Sequence, residues 1–118
     1  MAAFQTSTDS NINILTVSGR LDPNAGKDLK DTMETLTGGE KPGDLIVDLA
    51  GLSYMASAGF RELFLAGRKI GRSGGRLVVC GLQGEVKRVF ELARFDTAYP
   101  IFETLEAAKA HLTAPKAE

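Results

Sequence analysis

Residues 45–60 read Leu45-Ile46-Val47-Asp48-Leu49-Ala50-Gly51-Leu52-Ser53-Tyr54-Met55-Ala56-Ser57-Ala58-Gly59-Phe60. Two periodicities meet here. Leu45 to Leu49 is an apolar run without alternation, as a strand covered on both faces requires. From Phe60 onward the apolar positions fall at Leu63, Phe64, Gly67 and Ile70, the spacing of one helical face. Ser57 stands at the handover. A serine there reads as an N-cap, its oxygen accepting from a free N–H of the first turn. The same place suits a phosphate, because those N–H groups and the helix dipole favour negative charge. Ser57 is thus a helix cap, a phosphoacceptor, or both. A third reading, the G-x-S-x-G nucleophile elbow, is the poorest. Met55 stands where the first glycine belongs, and the only histidine, His111, is remote.

The helix opened at Ser57 runs to about Arg72 and stops at Ser73-Gly74-Gly75, where glycine takes the left-handed terminating conformation. Arg76 to Cys80 is the next buried strand. Strand, helix and strand in about thirty residues make a βαβ unit with parallel strands and a right-handed crossover. Upstream, Ile12 to Val17 reads as a strand, with Phe4 to Thr8 its hairpin partner across Asp9-Ser10. Gly19 to Asp22 reads as a turn, and Pro23 fits the first helical position behind an Asp22 cap. Ala25, Leu29, Met33 and Leu36 mark one face of a helix to about Thr37, stopped by residues 38–43. Downstream, Gly81 to Gly84 is a loop. Val86, Val89, Phe90 and Ala93 mark a third helical face, and Pro100-Ile101-Phe102 a short edge strand. Thr104 caps a last helix, Leu105 to Leu112, with His111 on its surface.

The order is β-β-α-β-α-β-α-β-α. It implies an α/β fold: a single mixed, mostly parallel sheet with an N-terminal hairpin, packed with about four helices. One domain is expected over residues 1–112, with 113–118 a flexible tail.

The chain has 118 residues, with 14 Lys+Arg against 15 Asp+Glu. A net charge of −1 argues against a nucleic-acid binder resting on phosphate contacts and fits a protein partner. The single cysteine, Cys80, lies in an apolar run and reads as a small core residue. One Cys and one His at distant positions make no metal cluster. Gly81-Leu82-Gln83-Gly84 lacks the spacing of a dinucleotide or nucleoside-triphosphate loop, so no cofactor is expected. Asp44 and Asp48 read as strand-end charges. No stretch approaches the roughly 20 apolar residues of a membrane helix, so membrane insertion is not expected and the cytoplasm is.

Taken in order, the motifs resemble the STAS domain family, and within it the small bacterial anti-sigma factor antagonists. They are Val17 to Asp22, Leu45 to Leu49 running into Leu52-Ser53-Tyr54-Met55, and Ser57 to Leu63. The set continues with Gly74 to Gly81, then Val86, Val89 to Leu92, and Phe102 ahead of Glu106-Ala107-Ala108. The resemblance covers nearly the whole chain.

The resemblance implies a non-enzymatic protein that binds an anti-sigma factor, often itself a serine kinase, and so frees a sigma factor. The kinase phosphorylates one serine at the start of the helix after the third strand, and a PP2C-type phosphatase reverses it. By position that serine is Ser57. Asp22 matches an acidic residue that the family places near the same surface. The implied partner-binding set is Asp22, Met55, Ala56, Ser57, Ala58, Gly59 and Arg61. Many members place Asp directly before the phosphoserine; here Ala56 stands there, as a small residue does in others. The alternative within the family is a STAS subunit that is not phosphorylated, serving a lipid-transport complex or signalling scaffold. A small-molecule binder is a further class. Arg61, Arg68, Lys69 and Arg72 read as a solvated helix face, with Arg61 the best placed to steer an acidic partner.

Overall fold

The computed structural model describes residues 2–9, 11–37 and 43–113. The expected helix stop at 38–42, Ser10 of the hairpin turn and tail residues 114–118 lie outside the described residues. Five strands form one sheet in the order of the chain: β1 (Ala2–Asp9), β2 (Ile12–Leu21), β3 (Asp44–Met55), β4 (Leu77–Cys80) and β5 (Ile101–Phe102). β1 and β2 pair antiparallel, and every later neighbour is parallel. Four helices join them: α1 (Ala25–Thr37), α2 (Ser57–Arg72), α3 (Gly84–Leu92) and α4 (Leu105–Thr113). The expected mixed sheet, hairpin and element order are all present.

The two central strands exceed their expected lengths. β2 was expected to end near Val17 and β3 at Leu49, but they run together to Leu21 and Met55. Register shifts between Thr16 and Ser18 and between Gly19 and Arg20 carry the pairing past the glycine. Gly19 takes φ +85°, and its carbonyl accepts the Ser53 hydroxyl at 3.0 Å. The reading of 19–22 as a turn is therefore corrected. The turn begins at Asp22, whose carboxylate Oδ1 accepts the Ala25 N–H at 2.9 Å and caps α1 as expected, but Pro23 lies in the turn and α1 opens at Ala25 rather than at Pro23.

The two faces of the sheet are unequal. α1, α2 and α3 cover one face over Leu15, Val17, Leu21, Leu45, Val47 and Leu77, all buried. α4 alone packs the other, over Ile12, Ile14, Ile46, Val78 and Cys80. Double coverage is why Leu45-Ile46-Val47 of β3 and Leu77 to Cys80 of β4 are apolar without alternation. Asp44 and Arg76 tie the lower end together: Arg76 Nη2 lies 3.0 Å from Asp44 Oδ2 and donates to the Leu112 carbonyl at the end of α4.

An aromatic cluster fixes α3 against α2. Phe60 and Phe64 from α2 meet Phe90 of α3, Phe95 of a short 3-10 turn at 95–97, and Tyr99. The Phe60–Phe90 centroids are 4.7 Å apart, and Phe64–Phe95 stack edge to face at 4.8 Å. Each such pair adds about 0.5–1.5 kcal/mol beyond its buried area. The 3-10 turn carries no periodic signal, and the expectation for this stretch contained no element.

Candidate functional site

α2 begins where β3 leaves the sheet, at the C-terminal end of the parallel strands. The Ala56 N–H donates to the Leu21 carbonyl at 2.8 Å, which holds the β3–α2 junction to the end of β2. α1 starts from the same end. Gly26 of α1 lies so close to α2 that a Cβ on it would stand 3.3 Å from Ala58 Cβ. Two helix N-termini therefore converge, one capped by Asp22 and one opened by Ser57.

The structure corrects the reading of Ser57 as a cap. The N-cap position of α2 is Ala56, in extended conformation at φ −76° and ψ 159°, with no side-chain cap hydrogen bond. Ser57 is the first helical residue and exposed, and its hydroxyl has no partner among the described residues. The Gly59 and Phe60 N–H groups donate to the Ala56 carbonyl at 3.0 and 3.3 Å. The N–H groups of Ser57 and Ala58 find no acceptor among the described residues. Two backbone donors and the positive end of a sixteen-residue helix thus stand beside a free hydroxyl.

The other expected site residues divide. Ser57, Ala58 and Arg61 are exposed on the first turns of α2. Arg61 makes no ion pair among the described residues. Asp22 is brought beside the α2 start but is half-buried and engaged in capping α1. Met55 and Ala56 are only 7% and 8% exposed, and Met55 packs in the core. Gly59 is buried beneath Leu21.

α3 supplies what sequence reasoning missed. Val89 and Ala93 were expected on the buried face of that helix, yet Val89 is 40% exposed and Ala93 exposed. α3 buries only Val86 and Phe90. With Met55, Ala56, Ser57, Phe60, Arg61 and Phe64, the two residues line an open concavity of about 540 Å³ between α2 and α3. Leu92, three residues on from Val89 in α3, is 74% exposed. Leu92 lies off the periodic face, and that was the available signal.

His111 is exposed on α4, its ring 5.0 Å from that of Phe102, with the sheet between it and α2. The fold does not bring it to Ser57. Burial pushes the Cys80 thiol up to about 12, with the Asp48 and Glu106 carboxylates and a hydrogen bond to Asp48 adding to the effect. Among the described residues, no group of three His, Cys, Asp or Glu side chains is placed to hold a metal ion. No described helix is long and apolar enough to cross a membrane.

The STAS domain family matches residues 3–108. A Bordetella bronchiseptica protein described as a candidate anti-sigma factor antagonist, BtrV, is 36% identical over 66 residues, which are 56% of this chain and 57% of that protein. The match therefore spans little more than half of that relative. The crystal structure of an anti-sigma factor antagonist from Mycobacterium paratuberculosis superposes with a TM-score of 0.88 at 21% identity, over 97% of this chain and 96% of that one. The phosphorylated form of the Bacillus cell fate determinant SpoIIAA superposes with a TM-score of 0.74 at 20% identity, over 92% and 98%. At these identities the superpositions speak for the fold alone. The five-stranded mixed sheet, its four helices and a family match across nearly all of the sequence agree, and the chain belongs to the STAS domain family.

Proposed function

We propose that this protein is an anti-sigma factor antagonist. Unphosphorylated, it binds an anti-sigma factor that is also a serine kinase and thereby releases a sigma factor. Phosphorylation of Ser57 switches binding off, and a PP2C-type phosphatase restores it. The observation that carries the reading is the Ser57 hydroxyl, exposed at the first position of α2 and not spent on capping. The relative BtrV, described as a candidate anti-sigma factor antagonist, supports the class of partner.

The chemistry is that of an on-helix charge switch. A phosphate adds about −1.5 to −2 charge at pH 7. At a helix N-terminus with free N–H donors it leaves the fold intact. Against a partner it must shed water and it repels acidic groups, so binding falls while the structure stays. The protein is a binding module and not a catalyst in this reading, and it acts in the cytoplasm.

The test is a pull-down from native extract with wild type, Ser57→Ala and Ser57→Asp as baits, with bound proteins identified by mass spectrometry. Recovery of a kinase-like anti-sigma factor by the first two but not by Ser57→Asp is the expected result. Equal recovery of a transporter or scaffold by all three would instead establish an unphosphorylated STAS subunit.

A further inference from the structure

We infer that the concavity between α2 and α3 is a docking groove for an amphipathic helix of a protein partner, one with a carboxylate beside its apolar anchor, and that Arg61 reads that carboxylate. The inference rests on the proposed partner-binding role of the Ser57 surface and names the chemistry of what binds there.

Three observations carry it. The floor and walls are apolar: Met55, Ala56, Phe60, Phe64, Val89 and Ala93. Val89 and the adjoining Leu92 are exposed, and burying them against a partner is favourable by about 25 cal/mol per Å² of apolar surface. Second, among the described residues Arg61 is the only charged one lining the groove, and it is exposed and makes no ion pair with any of them. An unpaired guanidinium at an apolar rim is complementary to a carboxylate, which it can grip with two parallel N–H bonds. A cationic partner would meet that charge unscreened as water leaves.

Third, the groove is poor in polar anchors. A small-molecule pocket needs several convergent polar groups to fix its ligand. Here the side chains offer only the Ser57 hydroxyl and the Arg61 guanidinium. A cleft between two packed helices suits a third helix, whose ridge of side chains at i, i+3 and i+4 fills it. The aromatic cluster beneath holds the two walls at fixed separation, so the groove is preformed.

The experiment is selection from a displayed library of helix-forming peptides. Two leucines one turn apart are fixed, and the flanking positions vary among Glu, Gln and Lys. The bait is the whole unphosphorylated protein, with Arg61→Glu and Val89→Lys as comparisons, both at exposed positions. Wild type should enrich Glu-flanked over Lys-flanked peptides by about tenfold, as expected for one charge-assisted pair. Arg61→Glu should invert the preference, and Val89→Lys should abolish enrichment. No enrichment by wild type, or a preference unmoved by Arg61→Glu, would overturn the inference. Neither kinase nor phosphate enters this selection. A failed groove is therefore distinguishable from a failed Ser57 switch, which only the three-bait pull-down reads.

Discussion

Gly59 lies directly against Leu21: a Cβ on the glycine would stand 2.5 Å from Leu21 Cδ2. The contact sets how deeply the first turn of α2 seats on the sheet, and so where Ser57 emerges. Leu21 is fully buried and has nowhere to retreat. Gly59→Ala should therefore cost about 1–3 kcal/mol of stability by overpacking. Gly71, on the exposed side of the same helix, has nothing within 4 Å of its Cβ position. Gly71→Ala should stabilise by up to about 1 kcal/mol through helix propensity. Urea unfolding of the two variants checks both, and equal effects would deny the contact its role.

Tyr99 packs against the middle of the same helix. Its ring covers Gly67, and its hydroxyl donates to the Phe64 carbonyl at 3.2 Å. Burial raises the phenol above its ordinary 10.0, with Arg68 opposing. A raised folded-state value means the contribution is complete below about pH 10 and is lost as pH climbs through the folded value. Tyr99→Phe should cost about 0.5–1.5 kcal/mol at neutral pH for the lost hydrogen bond. It should also flatten the fall in stability as pH climbs above about 10. Unfolding midpoints across that range decide the matter.

Cys80 should be chemically silent in the native protein. It is fully buried, and its thiol is pushed up from 9.0 to about 12, first by burial and then by the Asp48 and Glu106 carboxylates. Its contribution to stability is present below pH 9 and lost between pH 9 and about 12. An aromatic disulfide reagent at pH 8 should label it only as fast as the protein opens, with denaturant raising the rate by orders of magnitude. Rapid native labelling would place the thiol outside the core.

The sheet and its order were legible because the largely apolar runs of β2, β3 and β4 alternate with helically spaced segments in the chain. Less legible were places where one residue serves two elements. Gly19 looked like the start of a turn, yet β2 continues through it because register shifts absorb the irregularity. Ser57 looked like a cap because sequence alone does not separate an N-cap from the residue after it. The groove was hidden for a related reason. Val89 and Ala93 share the period of Val86 and Phe90, but α3 meets the core at an angle that buries only two of the four. Apolar spacing reports a helical face, and tertiary packing decides how much of that face is covered.

Ser57 and Arg61 stand four residues apart on α2, so their side chains are neighbours on the helix surface. A phosphate on Ser57 therefore has three partners at hand: the free Ser57 and Ala58 N–H groups and the Arg61 guanidinium. All three favour the dianion and should draw its second ionisation below the usual value of about 6. A lowered folded-state value means the stabilisation is present above about pH 6 and is lost as pH falls through the folded value. With phosphoserine installed at position 57, phosphorus NMR should find the wild-type phosphate titrating about 0.2–0.4 pH units below that of Arg61→Gln. Salt at 1 M should narrow the gap, since the pair is exposed. Coincident titration curves would leave the phosphate held by the backbone alone. A shifted curve means that phosphorylation also withdraws Arg61 from the groove. The switch then removes the cation a partner carboxylate would use while placing negative charge beside it.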